Sequence, residues 1–322
     1  MVATYTFEDL SGPTPTVSDN PYDGLIEACH DNAVEIQTRY ETHRSNRGAQ
    51  QKEKLTSPDF AGVTVDTILA KLEDQTIEPG FKDPRNCLVF WARPPPHIKA
   101  VIAEVQKRLK AVLPTCTHAD LWTMPQDNLH MTALEITHSL TAPEIDELVE
   151  QIRPGIPSIT DYTYAHRARV VKPSLSYDAQ AFALSFLPAA GEPCTADPSR
   201  KPQDDDYTYH HLRRDLYALS SATGVKVASR YVVPSAHLTV GRFIETSDTE
   251  TAEGKVDHAR MQELVKTVDE INEWLKAEFW PVEGKGIKAG GEWIVGEGKG
   301  LDNRKGALWY GTGETIRLGK GF

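Results

Sequence analysis

Two short segments of the chain pair a histidine with a threonine two positions later. The pairs are His130 with Thr132 and His237 with Thr239, and both lie in apolar, strand-like runs. In a strand, residues i and i+2 point to the same face and lie roughly 6.6 Å apart. Each imidazole therefore shares a face with a hydroxyl, and such polar groups need water or a ligand as their partner. An imidazole can transfer protons near neutral pH, and a hydroxyl can donate a hydrogen bond to a developing oxyanion.

A third match shows what chance alone produces. The chain has 11 histidines, and His43 is also followed by a hydroxyl residue, Ser45. That match has a charged residue, Arg44, between its members and lies in a polar stretch. We interpret it as accidental. The two strand-borne pairs each follow a proline, at Pro125 and Pro234, and occur in repeated strand-helix units.

The two segments NLHMTALEI (128–136) and SAHLTVGRF (235–243) resemble the paired signature of the 2H phosphoesterases. That family has two His-x-Thr/Ser motifs on strands of two pseudo-symmetric lobes. The resemblance extends over about residues 86–322 and does not cover residues 1–85. It implies hydrolysis of a 2′,3′-cyclic nucleotide or related cyclic phosphate to a monophosphate. Glu135 departs from the family pattern, because an apolar residue is expected after the first motif.

The residue types fit the chemistry that this resemblance implies. Hydrolysis of a cyclic phosphodiester needs one base to deprotonate water and one acid to protonate the leaving sugar oxygen. His130 and His237 fit both tasks, in either assignment, and Thr132 and Thr239 can stabilise the non-bridging oxygens. No metal or cofactor is then required. The unperturbed histidine pKa of about 6.5 predicts a bell-shaped pH profile with limbs near that value.

Two further residues are candidates for substrate binding. Arg242 lies three residues after Thr239, and a guanidinium fork matches the oxygens of a phosphate, although a surface ion pair fits this position nearly as well. Tyr310, in the segment GALWYG, is predicted to stack on a base. Three other aromatic residues are predicted to belong to the core: Trp309, Trp122 and Phe90.

No group of residues has the spacing of a metal site. The four cysteines, Cys29, Cys87, Cys116 and Cys194, form no CxxC pair and are expected to be reduced. His210 and His211 lie on a predicted helix without a third ligand four residues on. The segment GEGKG (296–300) lacks the full phosphate-loop spacing and is interpreted as a hairpin turn. The run Asp204–Asp206 is interpreted as a solvated loop that leads into a helix.

The composition is that of a globular protein with an acidic surface. Hydrophobic residues make up 39% and charged residues 25% of the 322 positions, and the formal net charge is −11. Such a balance argues against a broad surface for polyanions but allows a local pocket for a small anion. The sequence has no apolar run of membrane-spanning length and no secretory leader pattern at its start. We therefore expect no membrane association and a cytoplasmic location, with a nuclear one also compatible.

The hydrophobic pattern predicts an α+β fold with two parts. Residues 1–85 are predicted to form a helical extension, including a helix from about residue 21 into the 40s. Residues 86–322 are predicted to form two lobes, each an antiparallel sheet with helices on its outer face, with a cleft between them. Residues 189–206 are predicted to be an exposed insertion. Further strands are expected at 162–171 and at 308–310.

Three functions remain open at this point. The first is a metal-independent cyclic phosphodiesterase that acts on a small nucleotide. The second is the same chemistry on RNA ends, which would need a basic groove despite the acidic balance. The third is a non-catalytic nucleotide-binding or scaffold protein, against which the intact pair of histidine motifs argues.

Overall fold

The computed structural model of the chain describes residues 18–113, 121–195, 197–229, 232–282 and 285–322. It is an α+β fold with two antiparallel sheets and an N-terminal helical region, which confirms the predicted fold class. Residues 1–17 and Cys116, about which the sequence made predictions, lie outside the described residues. No helix in the described ranges combines the length and the apolar character needed to cross a bilayer.

Nine strands are described, divided between the two sheets. They are β1 (Asn86–Ala92), β2 (Leu121–Thr123), β3 (Met131–Leu140), β4 (Arg169–Tyr177), β5 (Ala181–Pro188), β6 (Ala236–Phe243), β7 (Glu292–Ile294), β8 (Leu301–Gly306) and β9 (Glu314–Leu318). The first sheet has the order β3-β1-β8-β9, and the second has the order β2-β6-β5-β4-β7. Strands β3 and β6, which carry the two motifs, belong to different sheets and lie in contact.

Eight α-helices accompany the strands in the described ranges. They are α1 (Asp23–Ala28), α2 (Ala33–Thr56), α3 (Thr67–Glu73), α4 (Pro96–Val112), α5 (Ala142–Ile152), α6 (Ile156–Thr160), α7 (Tyr209–Ser221) and α8 (His258–Phe279). Helices α5 and α6 pack on the first sheet, and α4 and α8 pack on the second. Because these helices take the apolar faces of the sheets, the opposite faces are left to form the cleft.

The N-terminal region is a structural part of the second lobe. Helix α2 begins at an Asn32 cap, whose side chain accepts from the backbone N–H of Val34 and Glu35, and it continues through the polar stretch to Thr56. It packs against β4 and β5 and against α8. Buried residues of α1 and α2 belong to the same apolar core as the rest of the chain. The region therefore folds onto the cleft-bearing part and is not a detached arm.

Three local predictions from the sequence were wrong. Strand β4 begins at Arg169, and the preceding residues 162–164 form a 3-10 turn. Residues 308–310 form a turn in which Leu308 and Tyr310 are buried, so their apolar character reflects packing and not a strand. The segment GEGKG is a turn, but it connects β7 to β8 in the other sheet and is therefore not a hairpin.

The insertion at 189–206 is anchored to the core by buried charges. Arg169 is 1% exposed, and its guanidinium donates to both carboxylate oxygens of Asp205 at 3.2 and 2.5 Å. It also donates to Glu292 at 2.6 Å, and Arg200 donates to Asp205 at 3.1 Å. The prediction that the aspartate run is solvated was therefore wrong for Asp205, because this carboxylate partners a buried arginine.

A buried histidine joins α2 to α7. His210 is 1% exposed, its Nδ1 accepts from the Tyr40 hydroxyl at 2.9 Å, and its Nε2 donates to the Tyr22 carbonyl at 3.0 Å. Burial lowers the pKa of His210 to about 3, and the charge of Arg213 acts in the same direction. The imidazole therefore stays neutral in the folded protein at pH values where it is protonated in the unfolded chain.

We expect His210 to make the fold sensitive to acid. Below the unfolded pKa of about 6.5, only the unfolded chain takes up a proton here, so the free energy of unfolding falls by about 1.4 kcal/mol per pH unit. In urea denaturation, wild type should lose about 2 kcal/mol more between pH 6.5 and 5 than His210→Gln, which retains a donor and an acceptor. Equal losses in the two proteins would contradict this assignment.

Candidate active site

Both histidine-threonine pairs line one cleft between the two sheets. His130 immediately precedes β3 and Thr132 is its second residue, whereas His237 and Thr239 lie within β6. All four side chains face this cleft. The neighbouring residues of β6 alternate as the period of a strand requires, because Ala236, Leu238 and Val240 are buried in the core. The structure thus brings together the four residues that the sequence singled out as catalytic candidates.

A β-bulge follows the threonine in each motif strand. In β6, Thr239 pairs with Ala183 and Gly241 with Phe182, so Val240 is an extra residue. In β3, Thr132 pairs with Trp91 and Leu134 with Phe90, so Ala133 is the extra residue.

Each bulge shifts the side-chain alternation by one residue. As a result, the residue three positions after each threonine returns to the cleft face. These residues are Glu135 in β3 and Arg242 in β6, and both line the cleft. The two lobes therefore present a histidine, a threonine and a charged side chain in the same order, with opposite charges at the last position.

The imidazole of His130 is held in one orientation by two contacts. Its Nδ1 lies 2.7 Å from the carbonyl oxygen of Asn128, which can only accept, so Nδ1 carries the proton in the neutral ring. The ring stacks on Trp91 with centroids 3.7 Å apart. Arg93 and Arg304 lie over the indole at 4.8 and 5.1 Å. These contacts leave Nε2 of His130 as the nitrogen available for proton transfer.

His237 occupies the matching position in the second lobe. Its Nδ1 lies 2.9 Å from the hydroxyl of Ser235, two residues earlier, much as Nδ1 of His130 contacts the residue two positions before it. The surroundings of His237 include the buried guanidinium of Arg213 from α7 and that of Arg242 from its own strand. His43 of α2 lies near the same imidazole. Two guanidinium cations, one from α7 and one from β6, therefore act on this imidazole.

Burial favours the neutral form of both imidazoles. It lowers the pKa of His130 to about 3, and Arg93, Arg304 and His237 act in the same direction, against the hydrogen bond to Asn128. It lowers the pKa of His237 to about 4, with Arg213 and Arg242 contributing. For the free protein we therefore expect limbs at lower pH than the unperturbed value of about 6.5. An anion bound between the rings would raise both pKa values, because it favours the imidazolium form.

Arg242 is positioned by residues outside its strand. Asp66, just before α3, accepts from Arg242 Nη1 at 3.3 Å and from the Tyr310 hydroxyl at 2.7 Å. The Arg242 Cζ atom lies 5.9 Å from the centroid of the Tyr310 ring. Tyr310 is 4% exposed and does not line the cleft, so the prediction that it stacks on a base is not supported. It positions Arg242, whereas its neighbour Trp309 lines the cleft.

Sequence reasoning missed several contributors to this site, including Trp309, which it assigned to the core but which lines the cleft. Glu135 and Trp91 face the cleft, and Asp66 comes from the N-terminal region that the family resemblance does not cover. The repeated order of histidine, threonine and charged residue could have indicated Glu135. Nothing local indicated Asp66, because its partners are distant in sequence. Within the described residues, no cluster of three or more histidine, cysteine or acidic side chains could hold a metal ion.

Fold and site together define an α+β protein of two antiparallel sheets with a histidine pair in the cleft between them. No protein-family model and no curated protein matches the chain. The solved structures that match include a conserved protein of unknown function from Agrobacterium tumefaciens strain C58. The sequences of this chain and of that protein are 13% identical. The match covers 80% of this chain and 99% of that chain, with a TM-score of 0.45. A protein from Thermus thermophilus matches at 13% identity, 72% and 96% coverage and a TM-score of 0.37.

Proposed function

We propose that this protein is a metal-independent phosphodiesterase of the 2H type. It hydrolyses a 2′,3′-cyclic nucleotide or related cyclic phosphate to a monophosphate. The observation that carries the proposal is that two imidazoles and two hydroxyls, supplied by strands of different sheets, line one cleft. Two proton-transfer groups facing a shared space are what in-line displacement at phosphorus requires.

The reaction begins with a cyclic phosphate placed between the two imidazoles. One neutral histidine takes a proton from water as the water oxygen bonds to phosphorus. The other histidine, as an imidazolium, gives its proton to the sugar oxygen as the bond from that oxygen to phosphorus breaks. His130 and His237 fit either role, and the bound phosphate anion supplies the charge that stabilises the imidazolium.

The remaining cleft residues stabilise charge on the phosphate oxygens. The hydroxyls of Thr132 and Thr239 donate hydrogen bonds to the non-bridging oxygens. Arg242 supports this role, because its Nε is buried and has no hydrogen-bond partner in the part of the chain that the structure describes. A phosphate oxygen would satisfy this donor and pair with the guanidinium charge. The proposed substrate is a small nucleotide, because the acidic balance of the chain disfavours RNA ends as the main substrate. The proposed location is the cytoplasm.

We expect hydrolysis of 2′,3′-cyclic nucleotides to persist in excess chelator. Two histidines already cover both proton transfers, so a divalent ion has no required step. The measurement is the rate of monophosphate formation before and after treatment with a chelator. Complete loss of activity, restored by adding back a divalent ion, would refute metal independence.

A further inference from the structure

A second pocket opens beside the histidine cleft, and α2 forms one of its walls. We call it the α2 pocket, and its volume is about 330 Å³. It shares His237, Thr239 and Arg242 with the cleft, so the two spaces adjoin along β6. A substrate whose cyclic phosphate lies between the histidines would therefore extend naturally into the α2 pocket.

The floor of the α2 pocket consists of small side chains. Ala183 and Ser185 of β5 pair with Thr239 and His237, so they share the cleft face of the sheet. Ser176 of β4 pairs in turn with Ala183 and extends the floor. Because these side chains are short, space remains between the sheet and α2. The pocket follows from residue size on this face and not from a gap in the core.

One face of α2 presents polar and basic groups to this space. Tyr40, His43, Arg47 and Gln51 recur at helical spacing and line the pocket. The buried Oε1 of Gln51 has no hydrogen-bond partner among the described residues. His43 and His237 both line this pocket. The α2 wall therefore reaches the same histidine that the proposed reaction uses.

Three arginines and one acidic residue line the α2 pocket, although the chain as a whole is acidic. Arg44 is matched by Glu41 on the same helix. Arg47 is exposed and forms no ion pair with any residue in the described ranges, whereas Arg242, which is shared with the cleft, pairs with Asp66. Asp178 is the acidic residue of the lining, and its Oδ1 accepts the backbone N–H of Gln180 and Ala181 at 2.8 Å. A second anionic group in this pocket would meet Arg47.

We propose that the α2 pocket binds a second phosphate of the substrate, with Arg47 as its main contact. The substrate class is then a cyclic phosphate that carries a separate phosphate group, such as a 5′-phosphorylated nucleoside 2′,3′-cyclic phosphate. This inference rests on the proposed function and specifies its substrate. The N-terminal helix, which the family resemblance does not cover, is the specificity-determining element.

The test compares adenosine 2′,3′-cyclic phosphate with and without a 5′-phosphate. The wild-type protein should show a KM about tenfold lower for the 5′-phosphorylated substrate, which is the scale of one hydrogen-bonded contact to a charged group. Arg47→Gln should raise that KM about tenfold and leave kcat nearly unchanged. It should leave both constants for the unphosphorylated substrate nearly unchanged. Because Arg47 is exposed, the preference should weaken as salt increases.

Lys52→Gln is the matched control. It removes the same charge from the same helix, but Lys52 pairs with Asp269 of α8 and does not line the α2 pocket. It should keep the preference for the 5′-phosphate. If Arg47→Gln affects both substrates alike, or neither, the second-phosphate site is refuted while the proposed function stands. If wild type hydrolyses neither substrate, the proposed function falls and this inference falls with it.

Discussion

Replacing either His130 or His237 by alanine is expected to lower kcat for cyclic phosphate hydrolysis by about 100-fold or more. This is the scale of general acid-base catalysis by a positioned side chain. Both imidazoles line the cleft with Nδ1 engaged by a neighbouring residue, so each variant removes one proton-transfer group from a preformed site. The measurement is steady-state hydrolysis of a 2′,3′-cyclic nucleotide at saturating concentration.

The pH profiles of the two variants separate the two roles. Loss of the base should abolish the acidic limb, and loss of the acid should abolish the alkaline limb. In wild type, the profile of kcat should lie at higher pH than that of kcat/KM. The reason is that the free imidazoles have pKa values of about 3 and 4, and a bound phosphate anion raises them.

His138→Ala provides the matched control for these variants. His138 lies in β3 as well, but it is hydrogen-bonded to Ser139 near the exposed end of the strand and does not line the cleft. Its replacement should leave kcat within about twofold, as expected for a surface substitution away from the site. Wild-type turnover by both His130→Ala and His237→Ala would refute the catalytic assignment and favour a binding protein.

Asp205→Ala is expected to lower the free energy of unfolding by about 3 to 5 kcal/mol. The carboxylate is 2% exposed and pairs with the buried guanidinium of Arg169, with Arg200 as a second partner. Its removal leaves the buried guanidinium of Arg169 with Glu292 as its one acidic partner among the described residues. The cost of that uncompensated charge makes this the largest stability effect that we predict. The measurement is urea denaturation at pH 7.

The neighbouring Asp206→Ala is the control for this stability effect. Asp206 has the same charge in the same segment, but it is exposed and its side chain forms no hydrogen bond within the described residues. We expect a change within about 0.5 kcal/mol. If Asp205→Ala also changes stability by less than about 1 kcal/mol, the charge network does not contribute as described.

The part of the site that follows a simple period could be predicted from the sequence. The apolar runs around His130 and His237 indicated strands, and the period of two placed each threonine beside its histidine. The alternation of period two does not continue past Thr132 and Thr239, because a bulge adds one residue to each strand. No residue type in the sequence marks the position of the bulge. This is why Glu135 was missed.

Contacts between distant parts of the chain could not be predicted locally. Asp205 looked like part of a solvated acidic run because its partner, Arg169, lies 36 positions earlier. The path of α2 along the cleft was also invisible, since its polar face resembles any solvated helix. In both cases the sequence shows the charge but not the partner that determines its role.

The two bulges decide which side chain faces the cleft after each threonine, so the number of residues in the strand matters as well as their type. Removing Val240 would restore regular alternation in β6 and leave Arg242 two positions after Thr239, still on the cleft face. If β6 instead kept Val240 and had no bulge, Gly241 would take the cleft position and Arg242 would point toward the helices behind the sheet. When such strands are aligned with related sequences, a gap misplaced by one residue assigns the wrong side chain to the site. Counting three positions from each threonine is therefore a safer guide to the charge of the cleft than matching residue types.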